Sequence, residues 1–119
     1  TFSDGGLNAI TLTRYRNRAP HRGDIVAARM ATLDNQQFYL KRILGLPGES
    51  IAFHDGTLLI DGKPVAEPYV IHTGRWTTEP LQLADNEFFI IGDNRDMAYE
   101  LHLGGAIHRK HLVGGLLFP

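Results

Sequence analysis

The sequence predicts an all-β domain with little helix. Three observations carry that prediction. The apolar runs are short and rich in β-branched and aromatic residues. Asp-Gly, Gly-Gly and Pro-containing steps separate them at close intervals. Helical periodicity is weak everywhere, with one short turn expected at His108–His111.

Taken in order, strands are expected at Leu7–Tyr15, Asp24–Met30, Gln36–Leu44, Ser50–His54, Thr57–Ile60, Leu81–Leu83, Phe88–Ile91 and Leu112–Phe118. Asp55-Gly56, set between two apolar runs, marks a hairpin, because both central positions of the favoured two-residue turn want positive φ. Asp61-Gly62 marks the next reversal. Pro64 and Pro68 lack a backbone donor and are expected to prevent continuous pairing between Lys63 and Tyr69. His72–Pro80 reads as a surface loop in which Trp76 is a packing anchor. Gly114-Gly115 lets the last strand bulge or approach a neighbour closely.

Composition bounds the alternatives. With 119 residues the chain is read as a single domain, residues 1–119, long enough for one core. Apolar residues make up 43% and charged residues 21%, the ordinary balance of a globular protein. A formal net charge of −1 and the lack of a basic stripe give no electrostatic case for nucleic acid as a partner. Without cysteine, neither disulfides nor thiolate metal sites are available. His108 and His111 stand one turn apart, yet no acidic residue joins them at ligand spacing, so no metal and no cofactor is expected. No apolar run approaches the roughly 20 residues that span a bilayer.

Phe38-Tyr39-Leu40-Lys41-Arg42-Ile43-Leu44-Gly45-Leu46-Pro47-Gly48 is the most informative stretch. Two adjacent cations sit inside a segment otherwise apolar enough to be buried. In a strand, Lys41 shares a face with Tyr39 and Ile43, and Arg42 shares the other with Leu40 and Leu44. At least one cation therefore sits among hydrophobic neighbours, and desolvation lowers the pKa of a lysine so placed toward that of a general base. The plainer alternative makes both residues gatekeepers on an exposed edge strand, their stems lying along apolar surface.

A second stretch, Glu87-Phe88-Phe89-Ile90-Ile91-Gly92-Asp93-Asn94-Arg95-Asp96, runs a buried strand into a glycine and a cluster of polar side chains. Such a cluster is often a capped turn, since Asn and Asp bond their own backbone. Its occurrence together with the lysine segment, and with Arg22-Gly23-Asp24-Ile25-Val26 upstream, favours a functional reading.

These blocks, in this order, resemble those of the type I signal peptidase (leader peptidase) family of membrane-anchored serine proteases. Lys41-Arg42-Ile43-Leu44-Gly45-Leu46-Pro47-Gly48-Glu49 is similar to the family's lysine block, and Gly92-Asp93-Asn94-Arg95-Asp96 to its last block. Leu59-Ile60-Asp61-Gly62-Lys63-Pro64-Val65-Ala66-Glu67-Pro68-Tyr69 is similar to its hairpin and following turn. The resemblance runs from about Thr1 to Leu117 and implies a compact, coiled all-β catalytic domain of mixed or antiparallel strands with a Ser/Lys dyad. Lys41 is then the general base. Tyr39 and Leu40 wall the substrate site, with residues Gln36–Leu40 as the strand edge that takes an extended peptide. Arg42, paired to Asp93, ties the lysine strand to Gly92, Asn94 and Arg95 in the last block.

Two departures qualify what the resemblance implies. The family's nucleophile lies in a Ser-Met-x-Pro-Thr block, which these 119 residues do not contain. Thr1-Phe2 falls where that block would end, so the chain is expected to begin just after the serine and to be inactive as it stands. Ser3 lacks the flanking motif and belongs to a polar turn. In the last block, positions that usually carry Ser, Asp and Arg hold Ala98, Glu100 and His102. Ala98 cannot donate a hydrogen bond to orient the lysine, while Glu100 with His102 keeps an acid–base pair that weakens when the histidine is neutral.

The implied substrates are signal peptides of secretory preproteins, with small residues one and three places before the scissile bond. The implied location is the periplasmic or extracytoplasmic side of a bacterial membrane, with the anchor helix upstream and apolar surface around Phe2 and Leu7 facing lipid. Two other readings stay open: a non-catalytic relative that binds extended peptides, and a conjugation-type peptidase that processes a pilin.

Overall fold

The computed structural model describes residues 10–11, 20–30, 37–96 and 105–116, which form two antiparallel sheets. The strands are β1 (Ile10–Thr11), β2 (Ile25–Met30), β3 (Gln37–Gly45), β4 (Ser50–His54), β5 (Thr57–Ile60), β6 (Lys63–Val65), β7 (Leu81–Gln82), β8 (Glu87–Ile91), β9 (Gly105–His108) and β10 (Leu112–Leu116). A six-stranded sheet has the order β1-β10-β2-β3-β8-β9, and a four-stranded sheet the order β6-β5-β4-β7. Every strand pair in both sheets is antiparallel, so the mixed element of the expectation falls away. Of the expected strand Leu7–Tyr15 the described residues are Ile10–Thr11, which form β1, and Phe2, Ser3 and Leu7 lie outside the described residues.

Local chemistry accounts for most boundaries. Asp55 and Gly56 both take positive φ, 46° and 87°, and close the β4–β5 hairpin in register His54↔Thr57. Asp61 and Gly62 repeat the device at 52° and 82°, turning β5 into β6. Pairing runs through Pro64, opposite Leu59, and stops at Val65. Pairing is thus not continuous from Lys63 to Tyr69, as expected, and Pro64 itself is tolerated because β6 is an edge strand, where no N–H need be donated. The register of β10 against β2 shifts between Leu112 and Gly114, the irregularity anticipated at the paired glycines. Strand β9, which the sequence reading lacked, pairs with β8 and leads into a short 3-10 turn at Arg109–His111.

Two apolar clusters follow from the two faces of β3. Leu44 packs into one with Phe53, Leu58, Trp76, Leu83 and Ile91, against the four-stranded sheet. Ile43 packs into the other with Val26, Ala28, Phe88 and Ile90. Residues 72–80, read from sequence as a surface loop, are stitched along the free edge of β4. Thr78 N–H donates to the Phe53 carbonyl, Gly56 N–H to the Trp76 carbonyl, and the Thr77 and Thr78 hydroxyls accept from Asp55 and Phe53 N–H. Trp76 is buried and meets Phe53 edge to face, ring centroids 5.2 Å apart at 87°, an arrangement that contributes about 1 kcal/mol beyond area burial.

Candidate active site

Strand β3 lies centrally in the larger sheet, yet its two halves differ. Residues 37–42 all pair with β2, from Met30↔Gln37 to Ile25↔Arg42. On the other side, β8 reaches only as far as Arg42, in register with Ile91, and the chain then turns away at Gly92. Among the described residues nothing pairs with residues 37–41 on that side.

Lys41 is the first residue beyond the two-sided ladder. Its cross-strand partner is Val26, and Ile43 and Tyr39 flank it on the same face. Val26, Ile43 and Ile90 are fully buried. Lys41 itself is half-buried, and among the described residues no carboxylate lies within ion-pairing distance of its amine. Desolvation therefore acts unopposed and holds the amine below the ordinary lysine pKa of 10.5.

Arg42 meets the opposite fate one residue on. Its Nε donates to Asp93 Oδ1 at 3.0 Å and Oδ2 at 3.2 Å, its Nη2 to Oδ2 at 2.9 Å, and its Nη1 to the Gly23 carbonyl at 2.9 Å. The Tyr69 ring covers the guanidinium, with Cζ 3.9 Å from the ring centroid. The Arg42–Asp93 tie between lysine strand and last block, expected from the resemblance, is thus formed. Tyr39 and Leu40 are both half-buried beside the open edge, on opposite faces of β3.

The turn at residues 92–96 is both a capped turn and an anchor. Asn94 Oδ1 accepts from Asp96 N–H at 3.2 Å, the local bond that Asn favours in turns. Arg95 is fully buried. Its Nη1 and Nη2 donate to the two oxygens of Glu67 at 2.9 and 2.8 Å, and its Nε to the Gly92 carbonyl at 3.0 Å. Phe53 and Trp76 flank the guanidinium at 5.4 and 5.6 Å. Side-chain exposure of this pair is 0% and 1%, so every donor of the cation must be satisfied internally. Gly74, at φ 66°, backs onto the Arg95 carbonyl so closely that a Cβ there would overlap it.

Sequence reading did not single out Glu67, Tyr69, Arg22 or Glu49 as site residues. Tyr69 donates its hydroxyl to Glu67 Oε2 at 3.2 Å, and burial first, then the Glu67 charge, pushes its pKa up to about 12. Arg22 makes a two-pronged pair with Glu49, at 2.7 and 2.8 Å, and also donates to the Leu44 carbonyl. The Arg22 hydrogen bond outweighs burial and holds the Glu49 carboxyl below its usual range. The only available signal was indirect: a buried arginine demands a carboxylate, and Glu67 stood within the Ala-Glu-Pro-Tyr segment read as a turn. Ala98, Glu100 and His102 lie outside the described residues. His108 Nδ1 accepts from Lys110 N–H, and His111 closes the same turn.

The site therefore combines a lysine in apolar surroundings, a stretch of β3 paired on one side among the described residues, and a clamped polar turn on one small all-β fold. The family described as signal peptidase, peptidase S26, matches residues 1–119, and the chain belongs to it. It is similar to signal peptidase I V of Bacillus subtilis, with 31% identity over 96% of this chain and 74% of the relative. A probable signal peptidase I-2 of Synechocystis is 33% identical over 84% of this chain and 48% of its own length. A crystal structure of a signal peptidase I from Enterococcus faecalis superposes with a TM-score of 0.65 at 28% identity, covering 83% of this chain and 97% of that one. The chain spans about half to just under two thirds of the first curated relatives it matches.

Proposed function

We propose that this chain supplies the general base and the peptide-binding edge of a serine endopeptidase that removes signal peptides from secretory preproteins. The observation that carries the reading is Lys41: an amine desolvated by Val26, Tyr39 and Ile43, with no carboxylate within reach among the described residues, beside an unpaired stretch of β3. A serine hydroxyl is a weak nucleophile until a neighbouring base takes its proton. Neutral Lys41 takes that proton as the hydroxyl oxygen bonds to the scissile carbonyl carbon. The resulting ammonium returns the proton to the leaving amine when the C–N bond breaks. The same amine then deprotonates the water that hydrolyses the acyl-enzyme ester. A carboxylate beside Lys41 would hold it charged and silence it, so the apolar setting suits the task.

Substrate main chain adds to residues 37–41 as an extra strand, which gives affinity without dictating sequence. Tyr39 and Leu40, pointing to opposite faces, then bound the side-chain pockets. Gly92, Asp93, Asn94 and Arg95 form the turn that closes the slot where β8 ends. Ala98, Glu100 and His102 follow that turn as supporting positions. Preprotein signal peptides are the partners, together with a membrane surface in the full-length protein, and the domain works on the extracytoplasmic side of a bacterial membrane.

The test joins a Ser-Met-x-Pro segment ahead of Thr1, which completes the block, and assays cleavage of a preprotein. Cleavage that disappears in Lys41→Ala while the fold is kept supports the reading. Wild-type turnover in Lys41→Ala removes the residue from its role. Binding of an extended peptide without cleavage favours the non-catalytic reading, and cleavage of a pilin precursor alone favours the conjugation-type reading.

A further inference from the structure

Arg42–Asp93 and Glu67–Arg95 end on the same short turn, since Asp93 and Arg95 are two residues apart. Tyr69 touches the far member of each pair. Its ring lies over Arg42 with Cζ at 3.9 Å, and its hydroxyl donates to Glu67 Oε2 at 3.2 Å. The result is a closed circuit: Arg42, Asp93, the turn backbone, Arg95, Glu67, Tyr69 and back to Arg42. We propose that Tyr69 is the positioning residue for Lys41, joining two ion pairs into one clamp that holds β3 against the turn at residues 92–96. The inference rests on Lys41 being the general base.

The place of the clamp in the ladder gives it leverage. Arg42 is the final residue of β3 bonded to strands on both sides, and Lys41 begins the stretch held by β2 alone. A strand paired on one side frays from its open edge, and such openings cost far less than global unfolding. Fixing the Arg42 side chain through Asp93, the Gly23 carbonyl and the Tyr69 ring limits that fraying where the amine is attached. Loss of the ring would let water onto the guanidinium and weaken its pair with Asp93, because ion pairs lose strength as the surrounding dielectric rises. Side-chain exposure already differs across the pair, 15% for Arg42 against 37% for Asp93, so the ring shields the cation rather than the carboxylate.

Glu67 and Tyr69 are spaced to serve together. Pro68 between them fixes its own φ near −65°, so the carboxylate and the ring leave the backbone at a set relative orientation. The hydroxyl keeps its proton up to about pH 12, so it remains a donor to Glu67 throughout the working range. The charges acting on Tyr69 are Arg42, Arg95 and Arg22 on one side of the balance and Glu67 on the other.

The chain has three lysines, Lys41, Lys63 and Lys110, so side-chain carbon NMR with labelled lysine resolves each titration. In the wild type, Lys41 is expected to titrate below the other two. Tyr69→Phe keeps the ring on Arg42 but cuts the bond to Glu67, so it should raise the Lys41 titration by less than loss of the ring does. Tyr69→Leu removes the ring, and Lys41 should then titrate higher by about half to one pH unit, toward an ordinary lysine. Amide hydrogen exchange should quicken selectively at residues 38–42 in Tyr69→Leu. With the serine block joined ahead of Thr1, kcat should fall on the order of tenfold with KM unchanged, the mark of lost positioning. A low Lys41 titration in the wild type that stays unchanged in Tyr69→Leu overturns the inference and leaves Lys41 as base. A wild-type Lys41 that titrates with Lys63 overturns both. Should Tyr69→Leu not fold, Arg42→Lys carries the same test, since it keeps the charge and loses the fork to Asp93; an unmoved Lys41 there is equally fatal.

Discussion

The two faces of β3 treat neighbouring cations in opposite ways. On one face Lys41 lies among Val26, Tyr39 and Ile43 and loses proton affinity to burial alone. On the other, Arg42 forks onto Asp93, donates to the Gly23 carbonyl and lies under a tyrosine ring. One residue of separation, and the strand's alternation, decide which cation is desolvated without an ion pair among the described residues and which is clamped. Lysine suits the first place because burial readily lowers its proton affinity, and arginine the second because it stays charged.

The sharpest way to break the comparison is to remove the reactive amine. In a form carrying the serine block, Lys41→Ala should lower preprotein cleavage by about 10²–10⁴-fold, the contribution expected of a general base, while circular dichroism remains that of the wild type. Preserved cleavage would merge the two faces into one structural role. Next in size is the buried end of the clamp. Glu67→Ala leaves the Arg95 charge sealed without a partner and should cost about 3–5 kcal/mol in chemical denaturation. Arg42→Ala should cost less, about 1–2 kcal/mol, because water can reach the orphaned Asp93. If the two variants cost the same, burial does not grade the clamp as described.

Gly74→Ala tests the same region sterically. The added methyl would meet the Arg95 carbonyl at a positive φ, so a loss of about 2 kcal/mol is expected at equilibrium, with Lys41 titration unmoved if the turn holds its place.

The smallest effects lie in pH dependence, and they differ in sign between the faces. Lys41 has a folded pKa below 10.5, so between that value and 10.5 the unfolded chain carries the extra proton and stability rises with pH. Cleavage should climb as pH rises through the folded value, where the amine becomes neutral, and level off above it. Tyr69 runs the other way. Its folded pKa is raised from 10.0 to about 12, so the folded chain holds the extra proton there and stability falls as pH rises between those values. Glu49 has a depressed folded pKa, and its contribution, present above the ordinary carboxylate value, is lost as pH falls through the folded one. Urea midpoints measured in Lys41→Met and Tyr69→Phe against the wild type should flatten the first and second of these slopes respectively.

Much of the fold was legible in the chain because β-structure announces itself through alternation and turns. Both Asp-Gly turns carry the positive φ their sequence demands, and β4 and β5 begin and end where expected. Strand β9 was missed because Gly105-Ala106-Ile107-His108 has little intrinsic β character and owes its form to pairing with β8. Lys41 and Arg42 could be read as an unusual pair, and the resemblance supplied Asp93. Glu67 and Tyr69 could not be found, since nothing in a Pro-flanked segment says that it folds under an arginine 28 residues on.

The order of residues alone determined the all-β class, the hairpins, and the fact that Lys41 and Arg42 must face opposite ways, because these follow from backbone sterics and a period of two. Which face would be stripped of charge, and which clamped, was settled only in three dimensions. Desolvation and ion pairing depend on what other strands and loops bring alongside, and those neighbours are distant in the chain.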